Sequence, residues 1–283
     1  MSEIFLYYFS GTGNSLHIAQ ELKQRIPNIT LIPFISLKQQ KLRDHKGVIL
    51  GCVFPVYLGM IPAFLRLLIA SLSFQDASYV FFIVTHGGYA NPALLKTALD
   101  NILKQKQAHL DAFFALQMIG NTPTGLMPTW MKIPKDWDEH ITIEKINQRE
   151  QEILLELDTI VETITQRKPH RIPSTLGTRI KEPLLRRLTQ STIKTIPYLV
   201  DDTCTACGRC ANICLSGKIK MEKQKPIWQP DVPCLYCYAC FNYCPTQSIL
   251  VKHYQLKTGR YHHPAISADL IMQQKKKHDR ETQ

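Results

Sequence analysis

The chain has 283 residues and a formal net charge of +11 at pH 7, and this length leaves room for more than one domain. Its longest apolar segment, residues 61–72, is interrupted by Pro62 and Arg66, whereas a membrane-spanning helix needs roughly 18 apolar residues. The N-terminus lacks the basic and then apolar pattern of a secretory signal. We therefore expect a cytoplasmic protein without a membrane span.

Residues 1–167 alternate between strand-like and helix-like segments. Apolar and aromatic runs predict strands at 4–9, 29–34, 47–54, 79–85 and 113–119. Helix-like segments follow at 15–25, 61–72, 92–103 and 142–167. Continuous apolar strands that alternate with helices indicate a parallel sheet covered on both faces. The sequence thus predicts an α/β domain with a doubly wound, five-stranded parallel sheet.

A Gly-rich loop follows the first predicted strand and opens the first predicted helix. Its residues are Ser10, Gly11, Thr12, Gly13, Asn14 and Ser15. Backbone amides and a helix N-terminus at such a loop favour an anion. Leu16 replaces the third glycine of a dinucleotide fingerprint, and the Gly-Lys-Ser/Thr of a P-loop is absent. What remains resembles the phosphate loop of flavodoxins, Ser/Thr-x-Thr-Gly-x-Ser/Thr, and this resemblance implies FMN.

Two later strand ends are expected to hold the flavin ring, because ligands of such sheets lie outside the carboxyl ends of the strands. The first ring loop is Pro55, Val56, Tyr57, Leu58 and Gly59, and the second is Thr85, His86, Gly87 and Gly88. Either Tyr57 or Tyr89 is a candidate for stacking on the ring, and packing in the core or rim is the alternative for both. His86 is a ring neighbour or an ordinary loop histidine. Residues 120–123 are a further candidate border of the site.

The excess positive charge lies outside these elements. Residues 168–200 hold seven Lys and Arg against one acidic residue, a net charge of +6, and residues 252–283 carry +4. We expect a basic linker at 168–198, with an amphipathic helix between Pro183 and Pro197, and a basic, flexible tail at 254–283. These segments are either solvated or a docking surface for an acidic redox partner. No recognised nucleic-acid-binding motif accompanies them.

Eight of the nine cysteines form two runs of the pattern C-x2-C-x2-C-x3-C. The runs are Cys204, Cys207, Cys210 and Cys214, and Cys234, Cys237, Cys240 and Cys244. This is the ligand spacing of bacterial two-cluster ferredoxins, in which the fourth cysteine of each run ligates the other cluster. The expected groups are therefore 204, 207, 210 and 244 for one [4Fe–4S] cluster, and 234, 237, 240 and 214 for the other.

The sequence around the two runs is also repeated, with a shift of thirty positions from 203–215 to 233–245. One departure is Leu215, where the second run has Pro245, and we expect it to make the two half-sites unequal. The surrounding aromatics either exclude water from the clusters or supply a core for a small domain. They are Trp228, Tyr236, Tyr238, Phe241 and Tyr243.

Zinc and disulfides are the alternatives for these cysteines. Paired C-x2-C motifs can bind zinc, but two four-cysteine runs of this spacing are far more typical of clusters. Disulfides require an oxidising compartment. The ninth cysteine, Cys52, lies in a strand-like apolar run and is expected to be a small core residue.

A flavodoxin-like domain at 1–167 followed by a small α+β two-cluster ferredoxin-like domain at 199–253 resembles the bacterial flavodoxin–ferredoxin fusion proteins called ferrodoxins. The resemblance implies an electron-transfer protein with FMN and two [4Fe–4S] clusters, but it names no reaction. Because a flavin accepts two electrons and releases them singly whereas a cluster carries one, our hypothesis is that the protein splits or merges electron pairs between two-electron and one-electron redox partner proteins. The alternatives are a flavin-dependent reductase of a small molecule fed by the clusters, and a redox sensor. Only His86 and Tyr57 are candidate acid–base groups near the flavin loops, which leaves enzymatic activity open.

Overall fold

The computed structural model describes residues 2–38, 45–88, 90–122, 141–173, 175–192, 196–251, 257 and 259–276, and the side chains of 188–192 lie outside this description. A five-stranded parallel sheet forms the N-terminal part. Its strands are β1 (Ile4–Tyr8), β2 (Ile29–Pro33), β3 (Ile49–Pro55), β4 (Tyr79–His86) and β5 (Ala112–Gln117). The strand order β2-β1-β3-β4-β5 is that of the flavodoxin-like doubly wound fold. The predicted fold class is confirmed.

Helices connect and cover these strands. They are α1 (Asn14–Arg25), α2 (Ala63–Ser71), α3 (Pro92–Lys104) and α4 (Ile143–Thr165). Asn91 caps α3 and Thr142 caps α4, since their side-chain oxygens accept bonds from amides of the first turn. The central strands are buried along almost their whole length, which explains their unbroken apolar sequence. Cys52 is fully buried in β3, as expected of a core residue.

The basic segment after α4 contains a longer helix than the sequence suggested. Helix α5 spans Leu176–Thr192 and includes Pro183, whereas we expected a helix to begin at that proline. It packs against α3, and the buried Glu182 forms an ion pair of 3.2 Å with Arg66 of α2. These tertiary contacts offset the one backbone hydrogen bond that a proline removes. Part of the predicted basic linker is therefore a helix that packs against the sheet domain.

The cysteine-rich part is a small α+β unit with an internal repeat. Strand β6 (Tyr198–Val200) pairs with β9 (Ile249–Val251), and β7 (Ile219–Glu222) pairs with β8 (Lys225–Trp228), both antiparallel. The short helices α6 (Arg209–Ile213) and α7 (Ala239–Asn242) occupy equivalent positions in the two cysteine runs. No described helix is long and apolar enough to span a membrane.

The backbone repeats with the same shift of thirty residues as the sequence. Left-handed φ angles occur at Ala206 and Gly208 in the first run and at Tyr236 and Tyr238 in the second. The turn after the fourth cysteine closes identically, with Gly217 N–H donating to Cys214 O and Gln247 N–H to Cys244 O, each at 3.1 Å. Leu215 therefore does not alter this turn. Its side chain is buried and joins the core shared with the sheet domain.

That shared core joins the two units into one packed body. Ile213, Leu215, Leu235 and Tyr243 pack in the same hydrophobic cluster as the strands of the sheet. The end of the chain contributes as well, through helix α8 (Ala268–Gln273) and its buried Ile271. Residues 259–276 are described and packed, which differs from the flexible tail that we expected from their charge. The remaining tail positions, 252–256, 258 and 277–283, lie outside the described residues.

Candidate functional site

The fold brings the cysteines together in two groups, each with a member from both runs. Cys207 and Cys244 both lie near Cys210, and after the larger effect of burial their charges raise the pKa of Cys210 to about 11. Cys214 lies near the cysteines of the second run, and burial followed by the charges of Cys234 and Cys214 raises the pKa of Cys237 to about 12. In each group a fourth cysteine of one run thus lies near cysteines of the other run.

The second group surrounds a cavity. Cys214, Cys234, Cys237 and Cys240 all line this small, partly enclosed cavity. Its other lining side chains are mainly aromatic or apolar, Tyr198, Leu215, Ile219, Trp228, Leu235 and Tyr238, and the polar ones are Ser216 and Lys218. We refer to this space as the cysteine cavity. Its wall limits the access of water, which is one of the factors that set the reduction potential of a cluster.

Cysteine thiolates are the donors of both a [4Fe–4S] cluster and a four-cysteine zinc site. Eight of them in two runs fit the donor set of two clusters, and the C-x2-C-x2-C-x3-C order along the chain is what favours clusters over zinc.

Hydrogen-bond donors from the surrounding loops face the cysteine sulfurs. The amide of Tyr236 donates to Cys234 Sγ at 3.4 Å, and the hydroxyl of Ser216 lies 3.5 Å from Cys214 Sγ. The equivalent hydroxyl in the second run, that of Thr246, lies 3.9 Å from Cys244 Sγ. Donors of this kind stabilise a thiolate and raise the potential of a cluster that it ligates.

The Gly-rich loop lies at the carboxyl end of β1, where the sequence placed it. Gly13 has a φ of 105° and its amide donates to Ser10 Oγ at 3.1 Å, while Ser15 Oγ and Thr85 Oγ1 are 2.8 Å apart. The side chain of Asn121 donates to Thr12 Oγ1. Within the described residues, the amides of Gly11, Thr12, Asn14 and Ser15 have no hydrogen-bond partner. Four amides at a helix N-terminus are a suitable cradle for a phosphate.

Both predicted ring loops end at the same edge of the sheet. In the first, Val56 N–H donates to Thr85 O at 3.0 Å, which ties the two loops together, and Leu58 and Gly59 turn through positive φ angles. In the second, Gly88 N–H donates to His86 Nδ1 at 3.1 Å. Burial lowers the pKa of His86. His86 is the last residue of β4, and this bond joins its ring to the turn that follows. Tyr89 and Pro123 lie outside the described residues.

The cysteine cavity lies directly against the Gly-rich loop. A Cβ added at Gly11 would lie 2.2 Å from the carbonyl oxygen of Cys237, so the two backbones are in contact. The rings of Tyr57 and Tyr238 are 6.2 Å apart. The Tyr57 hydroxyl is enclosed without a hydrogen-bond partner, and burial followed by the charge of Cys237 raises its pKa well above the usual value. One edge of the sheet therefore carries the loop, the Tyr57 hydroxyl and the second cysteine group.

The end of the chain covers the same loop, and sequence reasoning missed this. Gln274 accepts from Ser10 N–H at 3.0 Å and donates to Ser10 O at 2.8 Å. The His263 amide donates to Thr12 O at 2.8 Å, and the Tyr261 hydroxyl donates to Asn14 Oδ1 at 3.1 Å. We call residues 261–274 the C-terminal strap. Its partners are about 250 positions away, and no local pattern in the sequence indicates them.

Comparison with known proteins adds little beyond the fold. No family model matches the chain, and no curated protein matches it. Two solved structures resemble its sheet domain, each over 41% of this chain. One is a protein described as a flavoprotein from Bacteroides eggerthii DSM 20697, with 17% identity, 89% of that chain covered and a TM-score of 0.33. The other is a flavoprotein in complex with FMN from Lactobacillus acidophilus NCFM, with 14% identity, 93% covered and a TM-score of 0.32.

Proposed function

We propose that this chain is an electron-transfer protein that holds two [4Fe–4S] clusters on its crossed cysteine groups and FMN at the edge of its sheet. The observation that carries the proposal is the contact between Gly11 of the Gly-rich loop and the backbone of Cys237. It supports the proposal because this contact would bring a cluster ligated by Cys237 close to a flavin bound at the loop within one chain. A flavin exchanges electrons in pairs or singly, whereas each cluster carries one at a time.

Four cysteines would hold each cluster, in the groups that the spacing predicts. Cys204, Cys207, Cys210 and Cys244 would hold the first, and Cys214, Cys234, Cys237 and Cys240 the second. Cys207 is exposed, whereas the cysteine cavity is walled by aromatic side chains. The first cluster would thus lie nearer to solvent and to an external partner, and the second nearer to the flavin. Electrons would thus pass between the flavin at the edge of the sheet, the second cluster, the first cluster and an external partner, in that order.

The residues of the Gly-rich loop would bind the FMN phosphate. Among the described residues the amides of Gly11, Thr12, Asn14 and Ser15 have no hydrogen-bond partner and could donate to it, and the α1 N-terminus adds its partial positive charge. The loop contains neither lysine nor arginine, so neutral donors would carry the binding. The two ring loops, 55–59 and 85–88, would border the ring.

Partner binding would use the basic helix α5. Leu176, Ile180 and Leu184 recur every four residues and are between 60% and 74% exposed, which forms an apolar stripe. Arg179, Lys181 and Arg187 lie on the same helix. An acidic redox partner with apolar contacts would complement this face, and complementary charge would accelerate encounter.

The proposal also includes the domain division and the location. The segments are residues 1–167, 168–198, 199–253 and 254–283. The location is cytoplasmic, because a reducing compartment preserves the cysteine thiolates that would ligate the clusters.

A carrier is favoured over a reductase by the groups near the ring loops. Of the two candidate acid–base side chains, His86 is engaged with the Gly88 amide, and Tyr57 has a pKa far above neutral because of burial and neighbouring cysteines. Neither is poised to exchange a proton near neutral pH. These two candidates beside the ring loops therefore do not form an acid–base pair.

The decisive experiment compares the loss of either cluster. Cys237→Ser removes a ligand beside the Gly-rich loop, and Cys207→Ser removes the exposed ligand of the other group. After anaerobic reduction with less than one equivalent of dithionite, stopped-flow absorbance would follow the redistribution of electrons between flavin and clusters. We expect rapid redistribution in the wild type and in Cys207→Ser, and a large slowing in Cys237→Ser. Equal rates in both variants, or no redistribution in the wild type, would refute the relay.

A further inference from the structure

Three potential metal ligands meet where α1, α4 and the C-terminal strap come together. They are His17, Glu150 and His263, and one ligand atom from each lies within 4.8 Å of the other two. His17 and His263 are more than nine-tenths buried, and their rings are stacked with centroids 3.9 Å apart. The relay proposed above does not use these residues. Their sequence positions are 17, 150 and 263, so only the tertiary fold assembles them.

The His17 nitrogen is buried without a hydrogen bond of acceptable geometry. His17 Nε2 lies 2.6 Å from Glu150 Oε1, yet it makes no such bond among the described residues. A buried nitrogen of this kind is available as a metal ligand. Two ligands of a tetrahedral zinc ion at about 2.0 Å lie roughly 3.3 Å apart, so zinc binding would move these two side chains slightly apart.

We propose that His17, Glu150 and His263 bind one Zn²⁺ ion. Two imidazole nitrogens and one carboxylate oxygen form a ligand set that zinc uses with three protein ligands and one open position. Imidazole nitrogens favour zinc-like metals over Mg²⁺ or Ca²⁺, which prefer oxygen ligands. Glu150 is the most exposed of the three, with 28% of its side chain accessible, so the open position faces solvent on its side.

Protonation of His263 sets a condition on binding. The Ala265 amide lies 3.3 Å from His263 Nδ1 and donates to it, which places the ring proton on Nε2, where it faces Glu150 Oε2 at 3.2 Å. Coordination through Nε2 moves the ring proton to Nδ1 and gives up the long Ala265 bond, with no net release of a proton from the neutral imidazole. Zinc binding at this site weakens as pH falls, because a protonated imidazole has no free nitrogen for the ion.

The ion would fix the strap over the Gly-rich loop. His263 donates its amide to Thr12 O at 2.8 Å, and its Cβ lies 2.8 Å from the point that a Cβ on Gly13 would occupy. Metal coordination by the side chain of the same residue would hold this contact in place. Zinc binding would thus stabilise the contact between the C-terminal strap and the Gly-rich loop, without involving the eight cysteines.

The test uses the full chain with its cysteine groups loaded with iron and sulfide, then treated with a chelator to remove loosely bound metal. Zn²⁺ is added anaerobically, and zinc, iron and sulfide are counted after gel filtration. X-ray absorption at the zinc edge then reads the ligands of the wild-type protein directly. We expect one additional zinc per chain, with nitrogen and oxygen neighbours at about 2.0–2.1 Å and no sulfur at about 2.3 Å.

Variants locate the site. His263→Gln and His17→Gln should lower zinc affinity by at least about tenfold, measured against a competing zinc dye. His109→Gln is the matched control, because His109 also pairs with a carboxylate, Asp111 at 3.0 Å, but lies exposed and without a second histidine. It should bind zinc as the wild type does. Sulfur neighbours at the zinc edge, absence of retained zinc in the wild type, or unchanged affinity in both site variants would overturn the proposal.

Discussion

Replacing Gly11 with alanine tests the contact on which the proposed relay depends. The added Cβ would lie 2.2 Å from the Cys237 carbonyl oxygen and 2.9 Å from its carbonyl carbon. Real Cβ contacts essentially never fall below 3.0 Å, so one backbone segment has to move. Both sides are main chain, at the Gly-rich loop and at a predicted cluster ligand, so no side-chain rotation relieves the overlap.

Overpacking of this kind costs about 1–3 kcal/mol, and we expect the upper half of that range because rigid backbone lies on both sides. The displacement acts directly on Cys237, so iron content should fall from about eight towards four per chain as the second group loses its cluster. Urea unfolding followed by circular dichroism measures the stability change. Iron and sulfide counts on the same samples measure the cluster loss.

The control for Gly11→Ala is Gly177→Ala. Gly177 lies in α5, and the nearest atom to its added Cβ is Thr175 Oγ1 at an ordinary 3.7 Å. This substitution should leave the iron content unchanged and raise stability by about 0.5–1 kcal/mol, because alanine favours a helix over glycine. If Gly11→Ala has the stability and iron content of the wild type, the second cysteine group does not lie against the Gly-rich loop, and the reasoning fails.

Three further predictions concern the clusters and the docked helix. Cys204→Ser should reduce the iron content by about half. Cys52→Ala, which changes a core residue of β3, is the control and should leave about eight irons per chain. Equal iron loss in both variants would contradict the assignment of Cys204 as a cluster ligand. Tyr57→Phe should make the reduction potential of one cluster more negative, because it removes an enclosed hydroxyl near Cys237. Tyr79→Phe is the control and should leave the potentials unchanged, since the Tyr79 hydroxyl donates to Lys168 O far from the cysteines. Potentiometry with EPR detection compares the two variants. Arg66→Met should destabilise the protein by about 3 kcal/mol because it leaves the buried Glu182 carboxylate without this guanidinium. Lys96→Met, which removes a partly buried i,i+4 pair with Asp100, should cost about 0.5 kcal/mol. Similar urea midpoints for both variants would show that α5 is not docked through Glu182.

Features that depend on local pattern were predicted from the sequence. The apolar runs place all five strands of the sheet within about two residues of their ends, because fully buried parallel strands have an uninterrupted apolar sequence. The spacing of the cysteines, together with their thirty-residue repeat, predicts the exchange of Cys214 and Cys244 between groups that the fold brings about. The same repeat accounts for the equivalent turns after both residues.

Features that depend on long-range packing were not predictable in this way. The C-terminal strap has a basic composition typical of a solvated tail, but Gln274 bonds to Ser10, 264 positions earlier. Helix α5 continues through Pro183 because Glu182 and the α3 contact compensate for the lost hydrogen bond. The side chains of His17, Glu150 and His263 carry no shared motif. In each case the residue that fixes the local structure is distant in sequence, so local sequence propensity cannot predict the contact.

The measurement that most directly tests the central claim is the cofactor content of the anaerobically purified protein. Iron, acid-labile sulfide, zinc and flavin are counted on one sample, together with its visible spectrum. The account predicts about eight irons and eight sulfides per chain, with one FMN. Zinc at the cysteines without sulfide would contradict it, since the two crossed groups would then be structural metal sites with no electrons to relay.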